Sequence, residues 1–363
     1  MRVVIMLLLS LILVSCGGKD IDPATAGTVD IQKAYKWKLV TTWPKNYPGL
    51  GTAPENFAKK VEAMSGGRIQ IKVFGAGQLV PAFEVFDAVS QGTAEIGHGA
   101  AYYWTGKSKA TGFFTSVPFG LNAQEMNGWL HYGGGLELWR ELYSPFNLIP
   151  FAGGSTGVQM AGWFNREINS MEDIKGLKMR IPGLGGDVIT RAGGVSVTMP
   201  GGELYTSMQT GVIDATEWVG PYNDLAFGFH QVAKYYYYPG WHEPGPILEL
   251  IVNKDAYATL PADLQAIVEG AARAVNQDML DEYTARNNSA LVELVETHGV
   301  DVRKLPDDVI AELRRLSAEV LDELGQDSEI ASRIAESVKA FKKQAMEYHA
   351  ISEEAYYKAR KEQ

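Results

Sequence analysis

The chain has 363 residues, too many for one ordinary core and about right for two domains. Apolar residues make up 46% and charged residues 21%, a globular balance that excludes a disordered chain. The net charge of -10 argues against a nucleic-acid partner, which needs a basic face.

At the N-terminus Arg2 precedes the apolar run VVIMLLLSLILV, which is too short to span a bilayer and fits a signal-peptide core. Leu13-Val14-Ser15-Cys16 resembles a bacterial lipobox, so residues 1–15 are expected to be a lipoprotein signal peptide and Cys16 the lipidated first residue. The alternative is a plain secretory signal with an incidental cysteine. Cys16 is the single cysteine of the chain, which excludes an intramolecular disulfide. Residues 16–36 are mostly small and polar and read as a flexible tether.

WKLVTTW at 37–43 reads as a first strand. Thr52 and Glu55 form a capping-box pattern ahead of a helix that Gly66 and Gly67 stop. RIQIKVF at 68–74 alternates as a second strand, PAFEVFDAVSQG at 81–92 is a helix, and TAEIGHGA is a short buried strand. Alternation of this kind is an α/β pattern. A phrase then recurs: Pro81, Gly92 and Glu95 have the spacing of Pro200, Gly211 and Asp214, which predicts two lobes of similar build. FNLIPFAGGSTGVQMAGWF at 146–164 reads as two strands around a Gly-rich turn, opening the second lobe. LKMRIPG at 177–183 and KYYYYPGW at 234–241 add strands, and ILELIVNKDAY leads back to the first lobe. A helix over about 261–298 is roughly 55 Å long at ~1.5 Å per residue, enough to cross both lobes. A helix at 307–324 follows, then a last one from Asp327 or Ser328. That last helix carries an apolar or small seam from Ile334 to Ala359, which fits packing either on its own body or on a second subunit.

Candidate chemistry gathers in DATEWVGPYND at 214–224 and WHEPGP at 241–246. Gly153-Gly154-Ser155-Thr156-Gly157 fits the serine-hydrolase G-x-S-x-G pattern, but strand residues follow where a helix is required. His242-Glu243 starts like H-E-x-x-H, but Pro246 occupies the second histidine position. No Walker or dinucleotide fingerprint is present. Arg180 ends a strand, where α/β sheets bind ligands, and its planar fork matches a carboxylate. Glu217 and Glu243 are two loop acids flanked by tryptophans, and such a pair repels unless a cation or proton lies between. Gln159 offers a further oxygen of the kind hard cations take. A general acid/base couple and two solvated acids are the other readings.

KGLKMRIPG at 175–183, QTGVIDATEWVGPYNDLAFGFH at 209–230 and YYYYPGWHEPGP at 235–246 resemble the solute-binding proteins of tripartite ATP-independent periplasmic (TRAP) transporters. The resemblance is strongest to the branch that binds 2-oxo or 2-hydroxy acids such as pyruvate and lactate. It implies an α/β, two-lobed periplasmic binding protein-like fold with an interlobe cleft, a long spanning helix and a C-terminal dimerisation helix. The lobes would be 37–157 with 246–285 and 158–245 with 286–326, followed by the C-terminal helix at 327–363. The resemblance gives Arg180 the ligand carboxylate. It gives a metal cation, sodium or calcium, to Gln159, Glu217, the Trp218 carbonyl and Glu243. Tyr102 or Tyr103 would cover the ligand, and Ser155 and Thr156 stand where the family has an Asn-Thr turn. Asn223 is a further candidate contact, the alternative being that it and Asp224 only hold the loop. The expected protein is not an enzyme. It is a periplasmic, lipid-anchored protein that binds a 2-oxo or 2-hydroxy monocarboxylate, pairs as a homodimer and delivers to TRAP permease subunits. The rivals are a secreted hydrolase using Ser155 or the Glu217/Glu243 pair, and an adhesive lipoprotein led by its C-terminal helix.

Overall fold

A computed structural model describes residues 34–361. The signal peptide, Cys16 and most of the tether lie outside the described residues. The tether ends earlier than expected, because Tyr35 and Lys36 already pair with Ile69 and Gln70.

The first sheet runs β2-β1-β3-β10-β4. Its strands are β1 (Tyr35–Thr41), β2 (Ile69–Phe74), β3 (Ile96–Gly99), β4 (Leu148–Ser155) and, returning late, Ile247–Asn253 (β10). β1 lies parallel to β2 and β3, and β10 is antiparallel to β3 and β4. The second sheet adds β5 (Gly162–Phe164), β6 (Lys178–Arg180), β7 (Val195–Val197), β8 (Ala215–Thr216), β9 (Tyr235–Tyr238) and β11 (Asp301–Lys304) in the order β11-β9-β5-β8-β6-β7. β6 is parallel to β7 and β8, while β5 runs against β8 and β9.

The repeated phrase has a physical counterpart. After Pro81 come a 3-10 turn (Ala82–Glu84), a helix (Val85–Ser90) and Gly92 at φ +76°. After Pro200 come a 3-10 turn (Gly201–Glu203), a helix (Leu204–Gln209) and Gly211 at φ +71°. Such left-handed turns favour glycine. The acid that follows then clamps the neighbouring strand. Glu95 Oε2 accepts from the Lys38 amide at 2.6 Å, and Asp214 Oδ2 accepts from the Lys178 amide at 2.9 Å.

Three expectations need correction. Thr52 is not a helix cap: Gly51 takes that place without a side-chain bond, because the amides of Gly51 and Thr52 both turn back onto the Tyr47 carbonyl. Of the two strands at 146–164, only β5 joins the second sheet; β4 stays beside β10, where a Cβ on Gly153 or Gly154 would strike Leu250 or Met279. The last helix is not continuous. It runs Glu329–His349, breaks at 350–352, and resumes over Glu353–Ala359. The break lets His349 Nδ1 meet Glu125 at 2.7 Å, on the helix Ala123–Tyr132.

That break also divides the seam. Ala331, Ile334 and Val338 are buried, and Phe341 packs against Gly128 and Gly133, so the first half covers the protein's own body. Met346, Tyr348, Ile351, Tyr356 and Tyr357 are exposed. The long helix Ala262–Val292, continued as a π turn Glu293–Thr297, spans the two sheets as expected. Met279 lies against Gly154 of β4, whereas Asn287 takes the Tyr222 amide beyond β8.

Candidate functional site

Parallel pairing of β6 with β8 places Arg180 opposite Thr216, both at the C-terminal edge of the second sheet. The next residue, Glu217, donates its amide to the Arg180 carbonyl at 3.1 Å. β9 ends at the same edge, so the loop after it carries His242 and Glu243 there. The Gln159 amide bonds the Glu243 carbonyl at 3.1 Å, which joins the 156–161 crossing to that loop. The first sheet presents Trp43, beyond β1, and Tyr102 to Trp104, beyond β3. Facing strand ends are where α/β folds place their ligands.

Arg180 is 1% exposed, and the bonds it makes leave one Nη2 hydrogen over. Its Nη1 donates to Glu217 Oε1 in a tight ion pair and to the Glu217 carbonyl at 3.2 Å. Nη2 reaches the Tyr103 hydroxyl at 3.3 Å, Nε donates to the Met199 carbonyl at 3.3 Å, and the guanidinium lies 5.4 Å from the Trp218 ring. Gln159 Nε2 donates to Glu243 Oε2 at 2.7 Å and to Thr156 Oγ1 at 3.2 Å. Burial first, and Glu217 second, push Glu243 well above the usual carboxylate range. Burial also holds Tyr102 and Tyr103 protonated, as neutral donors.

What these bonds leave over is informative. Gln159 Oε1, Glu217 Oε2 and Glu243 Oε1 are buried with no hydrogen-bond partner among the described residues. Buried acceptors are ordinarily satisfied, so three orphan oxygens in one cluster require an explanation. Glu217, His242 and Glu243 each turn a ligand atom to within 4.8 Å of the others. An oxygen-rich donor set of this kind suits a hard cation.

The structure therefore brings Arg180, Gln159, Glu217, Glu243, Thr156 and Tyr103 together, with Tyr102 beside Tyr103 at a ring distance of 4.8 Å. The Trp218 ring packs on Arg180, so its backbone borders the cluster. Ser155 stands one step back, its Oγ accepting from the Gly157 amide at 3.4 Å. Asn223 does not join. Its Nδ2 donates to the Pro48 carbonyl at 2.8 Å and its Oδ1 accepts from Tyr283 at 2.5 Å, so the amide ties the turn to the 42–51 loop and the long helix. The sequence offers His242 only as one of three histidines that could serve Ser155 as a base. It is buried, with Nε2 3.4 Å from Glu217 Oε2 and both ring nitrogens unpartnered. Its place beside Glu243 was the available signal, discounted once Pro246 broke the zinc motif.

Among the described residues no histidine is bonded to Ser155, whose Oγ accepts from the Gly157 amide. His98 spends Nδ1 on the Trp43 indole at 2.9 Å and Nε2 on the Gly153 carbonyl at 3.0 Å, and burial pulls its pKa to about 4. His230 and His298 stack on each other at 4.1 Å. A groove of about 790 Å³ opens beyond Gly183, where Lys109 pairs with Asp327 and Arg191 with Glu323.

The sequence profile of the bacterial extracellular solute-binding proteins, family 7 (DctP), matches residues 39–327. The chain is 43% identical over 346 residues to a monocarboxylate 2-oxoacid-binding periplasmic protein of Nostoc sp., covering 95% of this chain and 93% of that one. A TRAP periplasmic solute-binding protein from Pseudoalteromonas atlantica, solved with sodium and pyruvate, superposes with a TM-score of 0.88 at 42% identity, covering 90% and 99% of the two chains. One from Bordetella bronchiseptica, a mixed-occupancy dimer with calcium and picolinate in one site and the other site apo, gives 0.88 at 37% identity, covering 90% and 97%.

Proposed function

Because this chain belongs to family 7 of the bacterial extracellular solute-binding proteins, we propose that it captures a small 2-oxo monocarboxylate together with sodium or calcium and delivers it to a TRAP permease. The observation that carries this reading is the trio of orphan oxygens on Gln159, Glu217 and Glu243. They fit a cation's ligands in number, hardness and burial, and the Trp218 carbonyl is the fourth ligand we assign. Gln159, Glu217, Glu243 and the Trp218 carbonyl would hold such a cation, which would supply positive charge for the ligand's oxygens. Arg180 supplies the charge that a ligand carboxylate needs, with Tyr103 beside it on Nη2. Tyr102 and Tyr103 exclude water over the apolar end. Thr156 orients Gln159, and Asn223 braces the loop instead of touching the ligand.

The same reading takes the lobes as 37–157 with 246–285 and 158–245 with 286–326. It makes Cys16 the lipid anchor and gives the protein no turnover. The exposed seam residues Tyr348, Ala355 and Ala359, with the exposed Met346, Ile351, Tyr356 and Tyr357 beside them, form the surface we assign to a homodimer. A hydrolase acting through Ser155 is disfavoured because, among the described residues, no histidine is bonded to its hydroxyl.

The test is titration calorimetry of protein freed of metal and ligand. Pyruvate should bind tightly with calcium or sodium and far more weakly without. Equal affinity in both conditions would remove the cation from the proposal, and no heat with any 2-oxo acid would remove the ligand class.

A further inference from the structure

The segment that carries Glu217 and Trp218 is held from two sides. On its own side it is rooted by Asp224, whose Oδ1 accepts from the amides of Val219 at 3.3 Å and Gly220 at 3.2 Å. Asp224 Oδ2 accepts from Tyr236 at 2.7 Å and Trp163 at 3.0 Å, which fixes it to β9 and β5. From the other side comes the loop at 42–51, which follows β1 of the first sheet. Tyr47 in that loop donates its hydroxyl hydrogen to the Asn223 carbonyl at 2.6 Å and accepts the Trp218 indole N–H at 3.1 Å. Its ring meets Trp218 edge-on, with centroids 6.2 Å apart, and Phe227 at 4.9 Å.

The loop is shaped for this contact. Gly49 sits at φ +66°, and a Cβ there would lie 2.2 Å from the Tyr283 ring. Any side chain would therefore both strain the backbone and push the loop off the long helix. Tyr283 in turn holds Asn223, so three elements converge on one turn. Trp218 is then bound through every part of its side chain: indole nitrogen to Tyr47, ring face to Arg180, ring edge to Trp43 at 6.1 Å.

We infer that Tyr47 is a positioning residue, a latch by which the first sheet's loop fixes the Glu217–Trp218 segment and ties loading of the site to closure of the two halves. The inference rests on the binding function proposed above. Its chemistry is specific. A phenol gives one hydrogen and takes one, and both partners are buried polar groups that need it. Phenylalanine fills the same space and does neither. The Trp218 N–H would then lose the hydroxyl it donates to and the Asn223 carbonyl the hydroxyl it accepts from, and water can replace that hydroxyl when the halves part. Loss of the hydroxyl therefore favours the open state. Ligand encounters the open state, so its entry is untouched, but it escapes sooner.

The experiment compares the full chain with Tyr47→Phe, using pyruvate with calcium and tryptophan fluorescence in a stopped-flow instrument. The release rate should rise on the order of tenfold, the effect of stranding two buried hydrogen-bonding groups, while the association rate stays unchanged. X-ray scattering should show less compaction of the variant on adding pyruvate. The melting temperature of the ligand-free variant should match the wild type. Wild-type release kinetics in the variant would overturn the latch alone. So would a lowered melting temperature with both rates changed, the mark of a purely structural role. Failure of the wild-type protein to bind any 2-oxo acid would overturn the proposed function first, and the latch with it.

Discussion

Glu249 and Asp224 lie as deep in the protein as Glu217 and Glu243, yet the two pairs are dressed differently. Glu249 accepts from the Trp104 indole and, at 2.8 Å, from the Tyr143 hydroxyl. Asp224 accepts from Trp163, Tyr236 and two backbone amides. Every oxygen of that pair is used. Both therefore tie a tryptophan and a tyrosine into one sheet half, and each stands behind the site: Trp104 follows Tyr102 and Tyr103, and Asp224 roots the turn after Trp218. Glu217 and Glu243 each keep an oxygen without a well-formed hydrogen bond among the described residues, with only the His242 ring 3.4 Å from Glu217 Oε2. That contrast is what supports our reading of the second pair as one that binds something outside the chain. Burial alone does not mark a functional acid; unmet bonding capacity does.

The comparison breaks first at Arg180, the one cation in the cluster. Arg180→Ala strands Glu217 and removes the ligand's counter-charge, so the pyruvate dissociation constant should rise on the order of a thousandfold, a scale set by breaking a buried charge pair. Calorimetry measures it. Retained affinity would mean that the carboxylate is held elsewhere.

The two acid pairs should then separate in a crossed test. Glu243→Gln removes a charge that burial and Glu217 already disfavour, so the ligand-free protein should melt no lower than the wild type. Its affinity for calcium with pyruvate should fall by about 10–100-fold, as when a metal's support is lost. Asp224→Asn should do the reverse in emphasis. An amide NH2 would face donors, at a cost of about 3 kcal/mol of stability, while affinity falls less than in Glu243→Gln. Melting curves and titrations of both variants decide it. If Glu243→Gln destabilises as much as Asp224→Asn, the distinction between site acid and scaffold acid fails.

Much of this was readable in the chain. Apolar periodicity and Gly-Pro punctuation located the strands, the long helix and the helix at 307–324, because local pattern dictates those. The Glu95 and Asp214 clamps were visible as a repeat, because the turn itself demands glycine and an acid at fixed spacing. Arg180, Glu217 and Glu243 could be named as candidates because they stand at strand ends or beside Gly and Pro. What the chain concealed depends on partners far away in sequence. Nothing local assigns β4 to one sheet or the other, since Gly153 and Gly154 matter only through Leu250 and Met279. The break at 350–352 answers to Glu125, more than two hundred residues earlier. Asn223 looked like a ligand contact because an amide beside an acid on a loop is the right type; only Pro48 and Tyr283 reveal it as a tether.

The smallest expected effect concerns pH and sharpens the scaffold half of the comparison. Burial pushes Glu249 up to about 7, and the bonds from Trp104 and Tyr143 only partly oppose it. In the unfolded chain the same carboxyl titrates near ~4.3. Between those values the folded protein holds a proton that the unfolded chain has lost. Stability from this group is therefore fully present below the unfolded value and declines as pH rises toward 7, levelling off above it. The direction is opposite to that of a carboxylate in an exposed ion pair, such as Glu141 with Arg333, which is held below its ordinary range and loses stabilisation only in acid. Glu249→Gln removes the titration but keeps the shape. The melting temperature of the wild type should fall from pH 5 to pH 7 relative to that of the Gln variant, and the two curves should run parallel above that. A constant difference across the whole range would mean that Glu249 is ionised in the fold throughout, held so by its two donors.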